Sequence, residues 1–327
     1  MKNYYIGFDT SNYTTSVAAC DEAGNIIANV KIPLPVKDGE RGLRQSDAVF
    51  YHTRNLSEIF PAFERAIEGY DKAVAVGASA KPRDAEDSYM PCFLSGKAVA
   101  TAYSSATGSP LYFFSHQSGH IMAALYSSFH NSGKNDTEGM EKMMTEPFAA
   151  FHVSGGTTEI LYVKPSEASF AVEKIGGTTD LNAGQAIDRV GVKMGLRFPC
   201  GPKLEELALS NAEKITKPRI SVSGLECCLS GLENLAEGIY NKTQDPALTA
   251  AYTIEHVAAT LDKLTENLRE RYEDIPIVYA GGVMSNGIIK QRLSKREGVY
   301  FSDPMFSADN AAGIALLCRI KHLNENK

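Results

Sequence analysis

Residues 7–15, GFDTSNYTT, and residues 153–158, VSGGTT, are two polar turns, each set between segments that read as β-strands. Each turn is followed by two further strand-like segments. These are residues 15–20 and 25–32 after the first turn and residues 158–163 and 170–175 after the second. The halves share too few identities to form a sequence repeat, but the recurring pattern predicts a duplicated α/β fold. Hydroxyl-rich turns of this kind can hold phosphates, and an ordinary polar hairpin is the alternative.

The length of 327 residues fits about two domains. We predict an N-terminal lobe over residues 1–112, joined by the last helix at about 305–327, and a C-terminal lobe over residues 113–304. Residues 129–145 are polar and rich in Gly, Asn, Lys and Glu, which predicts a long insertion loop.

Composition and charge narrow the class of protein. The formal charge of -6 argues against a protein that binds nucleic acid unaided, because that binding needs a surplus of Lys and Arg. A local basic patch or a basic partner could still supply the charge. No stretch approaches the roughly 20 apolar residues of a membrane span, and the N-terminus lacks the apolar region of a signal peptide. We therefore expect a cytoplasmic protein that does not contact membranes.

Two histidines, His116 and His120, lie four residues apart in a predicted helix, HQSGH, and so share one face of it. That spacing suits capture of a metal ion, although such pairs also occur without a metal. Gln117 follows His116, so the general-base Glu of an HExxH zinc protease is missing. His152, just before the second turn, and Asp309 could complete a set of three imidazoles and one carboxylate. These donors suit Zn, Fe or Mn.

Three segments have compositions that could hold a nucleotide. The first is the VSGGTT turn, in which the glycines let the backbone approach a ligand closely. The second, residues 280–286 (AGGVMSN), lies between a strand and a helix whose N-terminus could bind phosphate. The third, residues 180–189 (DLNAGQAIDR), has acids at both ends that could bind ribose hydroxyls. Neither GxGxxG nor a Walker A lysine is present, and ordinary turns and capped helices are the alternatives.

In this order, the motifs resemble those of the tRNA adenosine threonylcarbamoyltransferase family, formerly called glycoproteases or O-sialoglycoprotein endopeptidases. The resemblance runs from Gly7 to Leu317 and is carried most specifically by HQSGH, VSGGTT, NAGQAIDRVGVKMGL, SVSGL, AGGVMSN and DNAAGIA. It implies an α/β, duplicated two-lobe fold of the actin-like ATPase and sugar-kinase (ASKHA) type, with mixed sheets flanked by helices. It also implies metal-dependent transfer of threonylcarbamoyl from its adenylate to the exocyclic amine of adenosine 37 in tRNA.

The resemblance implies specific site residues. One divalent metal ion, Fe or Zn with Mn or Mg as alternatives, would be bound by His116, His120 and Asp309, with His152 as a fourth ligand. An adenylate or ATP-type nucleotide would be bound by a set of turn and helix residues, which are Ser154, Gly155, Gly156, Thr157, Asp180, Gly184, Asp188, Gly201 and Asn286. Asp9 and Ser11 of the first turn are the candidate catalytic residues.

The implied partners are threonylcarbamoyl-adenylate or an ATP-like ligand and, with the help of partner proteins, tRNA. A heterodimer or a homodimer is compatible with this activity.

The chain departs from the family around the acceptor. Tyr13 and Thr14 replace an acidic pair, Ser118 replaces a Glu, and residues 81–84, KPRD, replace Gly-Pro-Gly. Three alternatives to the tRNA-modifying enzyme follow: a paralogous carbamoyl or acyl transferase with another acceptor, a non-catalytic nucleotide-binding partner of the true enzyme, and a metalloprotease. The retained histidine pair disfavours the silent partner, and the missing Glu disfavours the protease.

Overall fold

The computed structural model describes residues 2–11, 13–35, 43–130, 137–166, 169–307 and 311–326, and these form two mixed β-sheets flanked by helices. The first sheet contains, in chain order, β1 (Asn3–Ser11), β2 (Thr14–Asp21), β3 (Ile26–Pro33), β4 (Lys72–Lys81) and β5 (Leu111–Ser115). The second contains β6 (Phe148–Val153), β7 (Thr158–Ser166), β8 (Ser169–Thr178), β9 (Ser221–Ser223), β10 (Glu226–Cys228), β11 (Ile277–Ala280) and β12 (Val299–Phe301).

The helices alternate with these strands along the chain. In chain order they are α1 (Gln45–Ala66), α2 (Phe93–Thr107), α3 (His116–His130), α4 (Thr137–Thr145), α5 (Ala183–Lys193), α6 (Gly201–Leu209), α7 (Gly231–Thr243), α8 (Pro246–Arg271), α9 (Gly287–Leu293), α10 (Pro304–Ser307) and α11 (Ala312–Glu325). The predicted α/β class with mixed sheets is therefore confirmed.

The two sheets repeat one topology. Strand order in the first is β3-β2-β1-β4-β5, and the second contains β8-β7-β6-β11-β12, extended beyond β8 by β10 and β9. In each of these two sets of five strands, the first three strands along the chain pair in an antiparallel way. The other two run parallel to the first strand of the set. This correspondence is the duplication that the two turns predicted. The exact boundaries of the lobes stay a prediction.

Strand β1 is the middle strand of the first sheet, and both of its faces are covered. Its residues are buried from Tyr4 to Ser11, a continuous run typical of strands with helices on both sides. On one face Leu56, Ile59 and Phe63, which recur at helical spacing in α1, join the apolar core that contains Phe8. Full burial of each such side chain contributes about 1.5–3 kcal/mol to stability.

Helix α11 covers the other face of the first sheet. Helix α11 packs against β1, β2, β4 and α3. The approach is close: a Cβ added to Gly7 of β1 would lie 2.5 Å from the backbone nitrogen of Ala315 in α11. Together with α3, this helix fills the space between the sheets with one apolar core.

Two segments differ from the prediction. Residues 137–145 form α4 instead of a loop, because Met143 is buried in the core beside α3; residues 131–136 of the same predicted loop lie outside the described part of the chain. The second segment is α7, which no sequence pattern predicted; it packs against α5 and α8, and its Leu232 and Ala236 are buried in the core of that half. Within the described ranges, no helix combines the length and the apolarity that a bilayer span requires.

Candidate active site between the two sheets

The carboxyl ends of three parallel strands in the first sheet place polar side chains together. Asp9 lies near the end of β1, Ser79 near the end of β4, and Ser115 ends β5. Helix α3 follows β5 without a loop, so its first residue, His116, belongs to the same edge. Parallel strands share one carboxyl edge, and in α/β folds this edge is where ligands bind.

Asp9 is fully buried and hydrogen-bonded by three side chains. Ser11 Oγ donates to Asp9 Oδ2 at 2.6 Å, Ser79 Oγ donates to Asp9 Oδ1, and His116 Nδ1 lies 3.1 Å from Oδ1. A buried carboxylate is tolerated only with such partners. Asp9 therefore fixes the orientation of the His116 ring. Ser11, the other candidate catalytic residue, is itself fully buried and is used to hold Asp9.

Three imidazoles come together between the sheets. The ring centroids of His116 and His120 on α3 are 4.2 Å apart, and His120 lies 5.6 Å from His152 near the end of β6. The predicted helical pair is thus joined by the predicted third histidine, which comes from the other sheet. The ring centroid of Phe93, the first residue of α2, lies 6.1 Å from that of His116, so Phe93 forms an apolar side of the imidazole cluster.

The donor types in this cluster suit a divalent metal. Because Nδ1 of His116 points to Asp9, Nε2 is the nitrogen that would bind an ion, and a carboxylate behind a ligating histidine is the common arrangement in metal sites. Imidazole donors suit Zn and Fe. In the part of the chain that the structure describes, no three His, Cys, Asp or Glu side chains already form a metal-binding arrangement. Asp309, the predicted carboxylate ligand, lies outside that part.

The VSGGTT turn is a closed hydrogen-bonded loop at the carboxyl end of β6. Ser154 Oγ accepts from the backbone N–H groups of Gly156 at 3.2 Å and Thr157 at 3.1 Å, and it lies 2.8 Å from Thr157 Oγ1. The Thr157 carbonyl accepts from Ser154 N at 2.8 Å. A Cβ added to Gly155 or Gly156 would have no heavy atom within 4 Å, so both glycines face open space.

The start of α5 lies directly under this turn. The Gly184 backbone N–H donates to the Ser154 carbonyl at 3.1 Å, and a Cβ on Gly184 would lie 2.7 Å from Gly155 Cα. Only glycine permits that approach. The turn and the N-terminus of α5 therefore form one surface. The Ala183 and Gly184 N–H groups are bonded to Thr158 Oγ1 and to the Ser154 carbonyl, so α5 favours an anionic group there through the positive end of its dipole.

The two acids of the 180–189 segment have different environments. The carboxylate of Asp180 accepts from the backbone N–H groups of Leu181, Leu229 and Ser230. Burial acts to raise the pKa of Asp180, but hydrogen bonds from Ser230, Leu229 and Leu181 outweigh it and hold the pKa well below its usual range. This carboxylate closes the turn before α7, which favours a structural role over contact with a nucleotide.

Asp188, in the middle of α5, is half-buried and accepts from the Cys200 backbone N–H at 2.7 Å. Burial raises its pKa, and that N–H opposes the shift. Gly201 follows at the start of α6, with nothing within 4 Å of an added Cβ. Asp188 and Gly201 thus lie side by side, as a shared nucleotide pocket requires.

Asn286, in the predicted AGGVMSN segment, caps α9. Its Oδ1 accepts from the backbone N–H groups of Ile288 and Ile289, both at 3.1 Å. The preceding turn packs on β6, since a Cβ on Gly281 would lie 2.3 Å from the Val153 carbonyl oxygen. The AGGVMSN and VSGGTT turns therefore meet at the carboxyl ends of neighbouring parallel strands.

Sequence reasoning missed several polar residues of this site. Ser79, Asp84 and Glu159 all contact predicted site residues or their immediate neighbours. Ser79 reaches Asp9 through the register of β4 beside β1, in which Ala78 pairs with Phe8, and the sequence does not specify that register. For the other two, no local pattern marks the contact.

Comparisons with known proteins show the family of the chain. A family model described as tRNA N6-adenosine threonylcarbamoyltransferase matches residues 89–316. Two curated relatives carry the same description. The one from Streptococcus pneumoniae (strain ATCC 700669 / Spain 23F-1) is 30% identical over 306 residues, covering 90% of this chain and 84% of that protein. The one from Lactococcus lactis subsp. cremoris (strain MG1363) is 28% identical over 336 residues, covering 98% and 92%.

Among solved structures, the chain is similar to a ROK family glucokinase from Streptomyces griseus in complex with glucose and AMPPNP. The TM-score is 0.52 at 11% identity, covering 98% of this chain and 99% of that one. At this identity the likeness concerns the fold alone. It confirms the predicted ASKHA-type, two-lobed architecture.

Proposed function

Because the chain belongs to the tRNA N6-adenosine threonylcarbamoyltransferase family, we propose that it transfers a threonylcarbamoyl group from threonylcarbamoyl-adenylate to the exocyclic amine of adenosine 37 in tRNA. In this reaction the amine nitrogen forms a bond to the carbamoyl carbon. The bond from that carbon to the phosphate oxygen breaks, AMP leaves, and the amine loses one proton.

The observation that carries the proposal is the meeting of His116, His120 and His152 between the two sheets, with Asp9 behind His116. Because His116 and His120 come from α3 after the first sheet and His152 from β6 of the second, a ligand held by them contacts both halves. A bound divalent metal would supply Lewis-acid polarisation and orientation of the threonylcarbamoyl oxygens. The three imidazoles would hold it, and Asp9 would keep the His116 ring in position.

The nucleotide side of the proposal rests on the glycine turn and α5. The open faces of Gly155 and Gly156, above the N-terminus of α5, suit the phosphate of the adenylate. Asp188 suits the ribose hydroxyls, because a half-buried carboxylate beside the open Gly201 can accept from them. Asn286 and Asp180 would shape the pocket from behind through the turns that they cap.

Acceptor binding calls for partners. With a formal charge of -6, the chain attracts tRNA weakly by itself. We propose that partner proteins, in a heterodimer or larger assembly, supply the basic surface, and that the protein acts in the cytoplasm, where tRNA is modified.

Nucleoside analysis tests the proposal. The purified protein is incubated with threonylcarbamoyl-adenylate and unmodified tRNA, alone and with candidate partners, and the nucleosides are analysed by mass spectrometry. We expect threonylcarbamoyladenosine that disappears in a His116→Ala/His120→Ala variant. A His130→Ala variant is the matched control, because His130 lies at the far end of the same helix and stacks on Tyr126.

The other outcomes separate the alternatives. Consumption of the adenylate without tRNA modification would indicate that the acceptor is a small molecule. The exposed Tyr13, at the position where the family has an acid, favours this alternative. Nucleotide binding without consumption would leave a non-catalytic partner.

A further inference from the structure

A short segment after β4 holds the first turn of α3. The Pro82 carbonyl accepts from the Gln117 backbone N–H at 3.0 Å. Asp84 Oδ2 accepts from Ser115 Oγ at 2.6 Å and from Ser118 Oγ at 3.1 Å, while Asp84 Oδ1 pairs with Lys81 Nζ at 3.3 Å. These contacts enclose the position of His116 from both sides along the chain.

The hydroxyl that Asp84 binds also caps the helix. Ser115 Oγ accepts from the Ser118 backbone N–H at 3.1 Å, so it satisfies one of the free donors at the start of α3. Ser115 and Ser118 are fully buried. Without Asp84, both hydroxyl groups would lose an acceptor in a buried place, which is costly and favours rearrangement of the turn.

The neighbouring residue of the segment reaches the other sheet. Arg83 Nη2 lies 3.4 Å from Glu159 Oε1, and the same oxygen pairs with Lys174 at 3.2 Å. Glu159 stands opposite His152 in the pairing of β6 with β7. One dipeptide, Arg83-Asp84, therefore contacts the helix that carries two of the imidazoles and the strand pair that carries the third.

We propose that Arg83 and Asp84 are positioning residues that set the separation between the imidazole pair on α3 and His152 on β6, and thereby the affinity for a divalent cation. The inference rests on the metal site of the proposed function. Neither residue contacts the ion: Asp84 acts through Ser115 and Ser118, and Arg83 acts through Glu159.

We expect Arg83 and Asp84 to affect the metal affinity to different extents. Loss of a group that is hydrogen-bonded directly to a metal ligand typically lowers metal affinity by roughly 10- to 100-fold. Asp84 acts one residue further out and its side chain is 39% exposed, so we expect Asp84→Ala to lie at the lower end of that range, about tenfold. Arg83 is 54% exposed and its ion pair is long. Exposed pairs contribute little and are screened by salt, so we expect an effect of Arg83→Ala of less than about 5-fold that shrinks as ionic strength rises.

The test measures the zinc dissociation constant of the whole chain by competition with a chromophoric chelator. Asp84→Asn is the conservative variant, because its amide oxygen can still accept from both hydroxyls, and it should retain most of the affinity. Asp87→Ala is the matched control, an exposed carboxylate in the same segment. Amide hydrogen exchange of residues 116–120 without metal provides a second readout, and Asp84→Ala should accelerate it.

The outcomes distinguish this inference from the proposed function. Unchanged zinc affinity and unchanged exchange in a folded Asp84→Ala variant would refute the positioning role while the metal site stands. Equal zinc affinity of the wild type and the His116→Ala/His120→Ala variant would remove the metal site, and the inference with it. A lower melting temperature of Asp84→Ala with the wild-type zinc dissociation constant would show a purely structural role and also refute the proposal.

Discussion

Gly313 of α11 and Gly119 of α3 are in direct backbone contact: a Cβ added to Gly313 would lie 1.9 Å from the Gly119 carbonyl oxygen. Gly119 immediately precedes His120. The last helix of the chain is therefore seated against the turn that carries the imidazole pair, and the absence of two side chains makes this approach possible.

Gly313→Ala should destabilise the protein by about 1–3 kcal/mol, the usual cost of forcing an extra methyl group into a close-packed place. The added Cβ meets backbone atoms, which cannot rotate away as a flexible side chain would. Chemical denaturation at equilibrium measures the change. Gly238→Ala is the control, because Gly238 is exposed inside α7 with nothing within 4 Å, and there the substitution should stabilise by about 0.5–1 kcal/mol.

Gly201→Ala should separate ligand contact from folding. Because nothing lies within 4 Å of the added Cβ, the melting temperature should stay within the error of the wild type. If Gly201 faces the adenylate, affinity for an AMP-containing ligand, measured by calorimetry, should fall roughly tenfold, the loss that about 1.4 kcal/mol causes. Wild-type affinity in this variant would show that the nucleotide does not bind beside α6.

Asp9→Asn should weaken divalent metal binding by roughly 10- to 100-fold, as expected when the group that orients a ligating histidine is changed. The amide is nearly isosteric, so Ser11 and Ser79 keep a neighbouring polar group. Zinc competition measures the effect, and the near-ultraviolet circular dichroism spectrum controls for the fold. Wild-type affinity would show that the bond to His116 is unimportant for the metal.

The free energy of unfolding should decrease below about pH 6.5 because of His256. An unperturbed histidine titrates near that pH. This side chain is buried in α8, and among the described residues its Nδ1 has no hydrogen-bond partner. Burial lowers its pKa in the folded state, so below the unfolded pKa the unfolded chain binds more protons and gains stability. Denaturant midpoints at pH 8 and pH 5 measure the change, and His256→Leu should reduce the difference. An equal difference in the variant would assign the acid sensitivity to other groups.

Asp245→Ala should cost about 1 kcal/mol, within the range for loss of a helix N-cap. Asp245 Oδ1 accepts from the backbone N–H groups of Ala247 at 2.8 Å and Leu248 at 3.0 Å at the start of α8. Thermal unfolding measures the effect, and Asp245→Asn, which retains the acceptor, should restore most of it. A full loss in the Asn variant would instead indicate that the charge beside the helix dipole matters most.

Local patterns predicted what local physics controls. The polar turns with strand-like flanks predicted β1 and β2 and their counterparts β6 and β7, because alternation and turn composition act within a few residues. The four-residue spacing of His116 and His120 predicted one helical face, and the ring centroids are 4.2 Å apart. The sequence pattern did not predict α4, since a helix rich in polar residues is stabilised here by burial of Met143.

Contacts between distant residues were beyond reach of the sequence alone. Asp9 and His116 are separated by 107 positions, and Asp84 and Ser115 by 31. Their meeting depends on the register between parallel strands, which composition does not specify. The positioning role of the KPRD segment therefore became visible only in the folded chain, where a stretch that merely departs from a family pattern contacts both halves of the site.

The return of α11 to the first sheet has a consequence for biosynthesis. Strands β1, β2 and β4 leave the ribosome early, but α11, which covers one face of them, is synthesised more than 200 residues later. During translation the second sheet can assemble while Tyr5, Ala18 and Ala75 still lack their covering helix. The growing chain thus carries an uncovered apolar sheet face until α11 is synthesised, which makes nascent-chain aggregation and chaperone capture a hazard of this order of elements.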